Sequence, residues 1–203
     1  MTVTNGYCTN SELRVHLGDS GSALSATLLD RAINAASRAI DQHCGRRFWQ
    51  DSTVVARTYR PDDPYEAWVD DISTATGLVV QTDTAGDGTY ATTWATSDYQ
   101  LEPLTAAADS TPWWRIVAVG ANTFPQASRR ATLQVTAKFG WTAIPDGVNQ
   151  ACLIRAGSLF KRREAPFGVA SFAEFGAVRI SRYGDPDVID LLAPYVRHDL
   201  AGV

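Results

Sequence analysis

The chain has 203 residues, 45% of them hydrophobic and 20% charged, with a formal net charge of −4. That length suits one large domain, or a small domain carrying an insert, and it can bury roughly 70% of its unfolded surface. The acidic balance argues against nucleic acid as the main ligand, since phosphate binding needs a basic face; no apolar run approaches a membrane span, and no signal peptide opens the chain.

The first helix is expected from Thr9. Thr9-Asn10-Ser11-Glu12 reads as a capping box, Leu13 and Leu17 share a face, and Gly18 ends the helix. A small-residue loop follows. The second helix is expected from about Ser25 or Thr27 to Cys44. Leu29, Ile33, Ala36, Ile40 and Cys44 form one apolar stripe, which Leu28, Ala32 and Ala39 widen. Asp30, Arg31, Asn34, Arg38 and Asp41 take the opposite face, and Gly45 is the stop.

From Asp51 to Trp141 the pattern changes. "TVVARTYRP", "GLVVQTD", "TYATTWA", "DYQLEP", "WWRIVAVG" and "ATLQVTAKFGW" are short runs rich in Val, Thr and aromatics, separated by turn residues. They predict an antiparallel sandwich or barrel-like block. Five of the six tryptophans lie here, and so does the acidity: eleven acidic residues against six basic ones.

Helix is expected again after "AIPDGV", with Asp146 as a cap, Val148, Cys152, Leu159 and Phe160 at helical spacing, and Lys161-Arg162-Arg163 at the negative end. "EAPFGVASFAEFGAVRISRYG" then lacks a helical period. Within it "AVRISRY" alternates apolar and polar residues, as an added strand or extended arm does. A last short helix has Asp185 as cap, Pro186 at its first position, Val188-Ile189 and Leu191-Leu192 as its face, and Pro194 as its stop. The expected fold class is therefore α+β. Residues 1–50 and 142–203 form a helical domain with a C-terminal arm, and 51–141 form an inserted antiparallel β domain.

Catalytic and metal readings are weak. "GDSG" at Gly18–Gly21 resembles a serine-protease nucleophile loop, but Ser20 lies between two helices with only His16 ahead of it. "DTAGDG" at Asp83–Gly88 resembles half a calcium loop. It has Ala85 at the third position and Trp94 at the twelfth, so it reads as a hairpin tip. "GDGTYA" brushes the dinucleotide fingerprint between strands, where that fingerprint needs a strand and a helix. "PDDPYE" is a solvated turn without a third ligand group. His16, His43 and His198 are scattered; His43 suits the last turn of the second helix. Cys8, Cys44 and Cys152 are odd in number and lack metal or redox spacing, so they are expected as buried, reduced thiols in a protein assembled in a reducing cytoplasm. No enzyme activity, cofactor or metal is expected.

"YCTNSELRVHLG" followed by "LLDRAINAASRAIDQHCGRRF" resembles the N-terminal helical pair of tailed-bacteriophage head–tail connector (adaptor) proteins. "SDYQLEP", "WWRIVAVG" and "LQVTAKFGWTAIPDGVNQACLIRAGSLFKRRE" are similar to the rest of that family in order and spacing, so the resemblance covers nearly the whole chain. It implies a structural virion protein. A twelve-fold ring of such subunits would stack under the portal of the filled head, extend the DNA channel without binding DNA specifically, and meet a stopper or tail-terminator protein. It also implies assembly in the host cytoplasm and residence in the virion, with no membrane role. The β block would then stand outward, like a collar.

On this reading Arg31, Asn34 and Arg38 of the second helix are candidates for the ring interface. Phe167, Phe172, Phe175, Arg179, Arg182, Tyr183, Ile189, Leu192 and Tyr195 are candidates for the portal or subunit interface. Aromatics and arginines are what interface hot spots use. Two other readings compete: a β-sandwich binding module for carbohydrate or a receptor, which explains the tryptophans, and a hydrolase using Ser20.

Overall fold

The structure is a computed structural model that describes residues 2–19, 24–126, 130–162 and 185–197. The fold is α+β. The chain divides into two compact units: Met1–Phe48 with Ile144–Val203, and Trp49–Ala143.

The first unit is helical. Thr9 caps α1 (Asn10–His16): its hydroxyl accepts the Glu12 amide at 3.2 Å, and the Glu12 carboxylate accepts the Thr9 amide at 2.6 Å. Two orphan donors of the first turn are satisfied reciprocally. The chain leaves α1 through Gly18, and Asp19 is tied back to Arg14 by a 2.6 Å ion pair. α2 (Ala26–Cys44) ends at Gly45, whose φ of 64° is the left-handed conformation that glycine adopts without a Cβ clash. Its buried residues are the expected stripe of Leu29, Ile33, Ala36, Ile40 and Cys44, with Ala32 and Ser37 beside it.

α2 packs on α3 (Asp146–Lys161), which buries Val148, Ala151, Cys152, Ala156, Gly157 and Phe160. Small residues on both faces allow the two axes to approach closely. α1 and α4 (Pro186–Leu192) also pack on α3. Two helix ends differ from expectation. Pro145 holds the cap position of α3, and Asp146 is its first helical residue, still placed to meet the positive end of the helix. Pro194 lies inside a short 3-10 turn, Ala193–Tyr195; proline lacks only an amide that a first turn leaves unused.

The second unit is one antiparallel sheet of six strands: β1 (Val55–Tyr59), β2 (Glu66–Thr82), β3 (Thr92–Thr93), β4 (Tyr99–Glu102), β5 (Trp113–Ala118) and β6 (Leu133–Phe139). The order is β1-β6-β2-β5-β4, with β3 paired to β2. The long β2 organises it. Its first half pairs with β5, its second half pairs with β6 and β3, and the register shifts between Trp68 and Ile72 and again between Thr74 and Val79.

Bulges of this kind bend a strand and increase its twist. Both halves of β2 feed a single core, from Ala67, Val69 and Ile72 through Val80, and Ile116 of β5 and Leu133, Val135, Ala137 and Phe139 of β6 join them. One continuous, bent sheet thus takes the place of the two stacked sheets that a sandwich needs. β6 shows the strictest alternation, with Leu133, Val135, Ala137 and Phe139 buried and Gln134, Thr136 and Lys138 half-buried between them. Leu133, Val135 and Phe139 each contribute about 1.5–3 kcal/mol by their burial. Trp94 stacks on Phe124 at 4.7 Å and donates its indole N–H to Thr82 Oγ1 at 3.2 Å, so its polar edge is satisfied inside the core.

Candidate interaction surfaces

In the helical unit the polar face of α2 is largely occupied from within. The extended N-terminal segment lies along it. The Thr4 amide donates to Asn34 Oδ1 at 3.0 Å, Asn34 Nδ2 donates to the Thr2 carbonyl at 3.1 Å, and Arg38 donates to the Asn5 carbonyl at 2.9 Å. Tyr7 anchors the segment. Its hydroxyl donates to Asp41 and accepts the Phe48 amide at 2.9 Å, and its ring meets Phe48 edge-on at 5.6 Å. Burial, and then the bond to Asp41, push the Tyr7 hydroxyl well above its usual range, so it remains a donor. Asp30 accepts Asn10 Nδ2 at 2.8 Å, which fixes α1.

Of the three candidate residues on this face, Asn34 and Arg38 hold the chain's own N-terminal segment, and Arg31 and Arg38 are exposed. Pairings across thirty residues leave no mark in local periodicity. Tyr7 is the residue that sequence reasoning missed.

Of the C-terminal candidates, Leu192 is buried with Val188 on the inner side of α4. Ile189 is exposed, and Tyr195 is half-buried, edge-on to Phe48 at 5.7 Å. Phe167, Phe172, Phe175, Arg179, Arg182 and Tyr183 lie outside the described residues. On α1, Val15 is 77% exposed beside His16.

The β unit carries the other apolar surface. Glu102, Arg115 and Trp68 form one cross-strand row over β4, β5 and β2. Arg115 bonds Glu66 at 2.9 Å, pairs with Glu102, and lies over the Trp68 ring at 5.4 Å. Trp68, Glu102, Pro103, Leu104, Trp114 and Arg115 line an open hollow of about 440 Å³. Leu104 is 69% exposed and Trp68 is 45% exposed. A guanidinium clamped by two carboxylates holds the rim in one arrangement.

Two of the motifs with metal overtones serve the fold. The Asp83 carboxylate accepts the amides of Gly86 and Gly88, each at 2.7 Å, which builds the turn between β2 and β3. Burial opposes its charge, but these amides outweigh it and hold the carboxyl below its usual range. Asp63 accepts the amides of Tyr65 and Glu66 and shapes the approach to β2. Ser20 and His198 lie outside the described residues. Among the described residues no group of three or more His, Cys, Asp or Glu could hold a metal ion, and no helix is long and apolar enough to cross a membrane. Cys8, Cys44 and Cys152 are free and buried.

No known protein-family model matches the chain, and no curated protein matches it. Solved structures do. A chain in the neck of an empty gene transfer agent (GTA) particle, computed with C6 symmetry, aligns at a TM-score of 0.59 and 18% identity, covering 100% of this chain and 96% of that one. A chain in the neck of the native GTA particle, computed with C12 symmetry, aligns at 0.56 and 20% identity with the same coverage. A chain in the virion of the native GTA particle aligns at 0.52 and 18% identity. The protein has the fold of these particle components over its whole length.

Proposed function

We propose that the chain is a structural subunit of a phage-like particle's neck: a head–tail connector of the adaptor type, without enzymatic activity. The observation that carries this reading is the two-sided coverage of the neck chains, 100% of this chain and 96% of theirs, with helical and β units in one chain. A shared small module would align over one unit only. C6 and C12 symmetry of those necks supports a homo-oligomeric ring for this chain too. In that ring the portal lies on one side, a stopper or tail terminator on the other, and DNA passes through the centre.

The described surface supplies part of the docking face: Ile189 on α4, Val15 on α1 and Arg31 on α2 are exposed. Phe167, Phe172, Phe175, Arg179, Arg182 and Tyr183, outside the described residues, are candidates for the same docking role. Electron microscopy of the protein mixed with portal-bearing heads tests the reading; a ring of added density at the portal supports it.

A second reading has its own observation. The hollow combines the exposed Trp68 indole and the half-buried Trp114 with a carboxylate and a guanidinium, the chemistry that stacks on a sugar ring and bonds its hydroxyls. The β unit would then be a binding module for carbohydrate or a receptor. Binding on a glycan array that Trp68→Ala removes supports it, and absence of binding counts against it.

A further inference from the structure

The thiols of Cys8 and Cys152, 144 residues apart in sequence, face each other with 3.4 Å between their Sγ atoms. Cys8 lies in the segment just before the α1 cap, and Cys152 lies on α3. The segment is held against its neighbours at Tyr7, the residue before Cys8. The Tyr7 amide donates to Ser37 Oγ at 3.0 Å, and Asn149 Nδ2 donates to the Tyr7 carbonyl at 2.9 Å. Ser37 Oγ in turn lies 3.5 Å from the Cys152 sulfur. Buried thiols that only fill space need no such mutual alignment. A disulfide has its sulfurs about 2.05 Å apart, so closing this pair needs about 1.4 Å of approach within one cluster.

We propose that Cys8 and Cys152 form an oxidative modification site, at which exchange with a small-molecule disulfide such as oxidised glutathione joins the N-terminal segment covalently to α3. Cys8 is 4% exposed and Cys152 is 0% exposed, so the exchange partner meets Cys8 first. The Cys8 sulfur attacks the glutathione disulfide; a Cys8–glutathione bond forms, and one glutathione leaves with the Cys8 proton. The Cys152 sulfur then attacks the Cys8 sulfur, and the second glutathione leaves with the Cys152 proton. Two protein thiols are oxidised and one glutathione disulfide is reduced to two thiols.

Cys152 is placed for the second step: its sulfur lies 3.4 Å from that of Cys8 and 3.5 Å from Ser37 Oγ. Geometry, not acidity, sets the pair apart from Cys44: the Cys8 and Cys152 sulfurs lie 3.4 Å apart, while the bond to Cys152 and then burial push the Cys8 thiol up, as burial does that of Cys44. The cross-link closes a loop holding α1, α2 and all six strands, and long closed loops restrict the unfolded chain most. A subunit made in a reducing cytoplasm and used in a released particle would thus be locked after release. That purpose rests on the neck reading, whereas the chemistry does not.

The test uses the isolated full chain, so its outcome is independent of any particle. The protein is incubated with oxidised glutathione at mildly alkaline pH, then denatured, alkylated and weighed. One of the three thiols should remain alkylatable. A non-reduced digest should contain a Cys8–Cys152 peptide. The melting midpoint should rise by roughly 5–10 °C and return on reduction. Cys44→Ala should behave like the native chain, and Cys152→Ala should keep glutathione on Cys8 with no cross-link. Three alkylatable thiols after prolonged oxidation, or a cross-link that includes Cys44, would overturn the proposal.

Discussion

Gly140 follows β6 with a φ of 106°, and a Cβ built there would lie 1.9 Å from the Trp49 carbonyl oxygen. Both backbone strain and a clash with unyielding backbone oppose any side chain. Gly140→Ala should cost about 3 kcal/mol, read as a lower urea midpoint; an unchanged midpoint would contradict the packing of Trp49 on this turn. Tyr7→Phe keeps the ring against Phe48 but removes the hydroxyl that accepts the Phe48 amide and donates to Asp41. It should cost about 1–3 kcal/mol by the same measurement.

Acid sensitivity also has residue-level causes. The Thr9 amide and then its hydroxyl hold Glu12 below the usual carboxylate range, and the Gly88 and Gly86 amides do so for Asp83 despite burial. A carboxyl whose folded value is depressed stabilises the fold above its unfolded value, near 4, and loses that contribution as pH falls through the folded value. Asp41, pushed up by burial, acts in the opposite sense. The decisive comparison is therefore the slope of stability between about pH 5 and 3 in the native chain and in Asp83→Asn. The variant should show the shallower slope, and equal slopes would remove Asp83 from the account.

At the scale of elements, α2 and β6 were the most legible. Leu29, Ile33, Ala36 and Ile40 recur at the helical period and are all buried, and β6 alternates without a break. The first half of β2 was not legible. Asp70 and Asp71 are adjacent acids of a type depleted in strands, and their reasons lie far away in sequence. Asp70 accepts Arg57 at 2.6 Å and Tyr59 at 3.0 Å, while buried Asp71 accepts the Trp141 indole at 3.1 Å. The same non-local logic hid the bonds by which Asn34 and Arg38 on the polar face of α2 hold residues 2–5.

The C-terminal elements carry the interface prediction. Truncation after Glu164 should leave the β unit folded and abolish attachment to heads. It also removes α4, whose Val188 and Leu192 are buried, so a point substitution is the sharper probe. Ile189 is exposed, and Ile189→Glu should preserve the melting midpoint while weakening attachment at least tenfold, roughly the loss of one buried aliphatic contact. Full attachment by the variant would free α4 of that role.

For the whole molecule, charge and size set the expectations. The segment 51–141 is acidic, with eleven acidic and six basic residues, and the remainder is close to neutral. A channel through which DNA slides should not hold phosphate, since each lysine or arginine at the wall adds salt-sensitive affinity. No binding to duplex DNA is expected at physiological salt. Sub-micromolar affinity by anisotropy would replace the connector reading with a DNA-binding one.

The chain by itself should remain mostly monomeric, with the portal as the template for its ring. The most direct test of the neck assignment is electron microscopy of portal-bearing heads with and without the added full-length protein, with no symmetry imposed at first. A closed ring of this fold stacked on the portal, continuous with its channel, is the expected result. Bare portals at saturating protein, or density bound elsewhere on the particle, would contradict it.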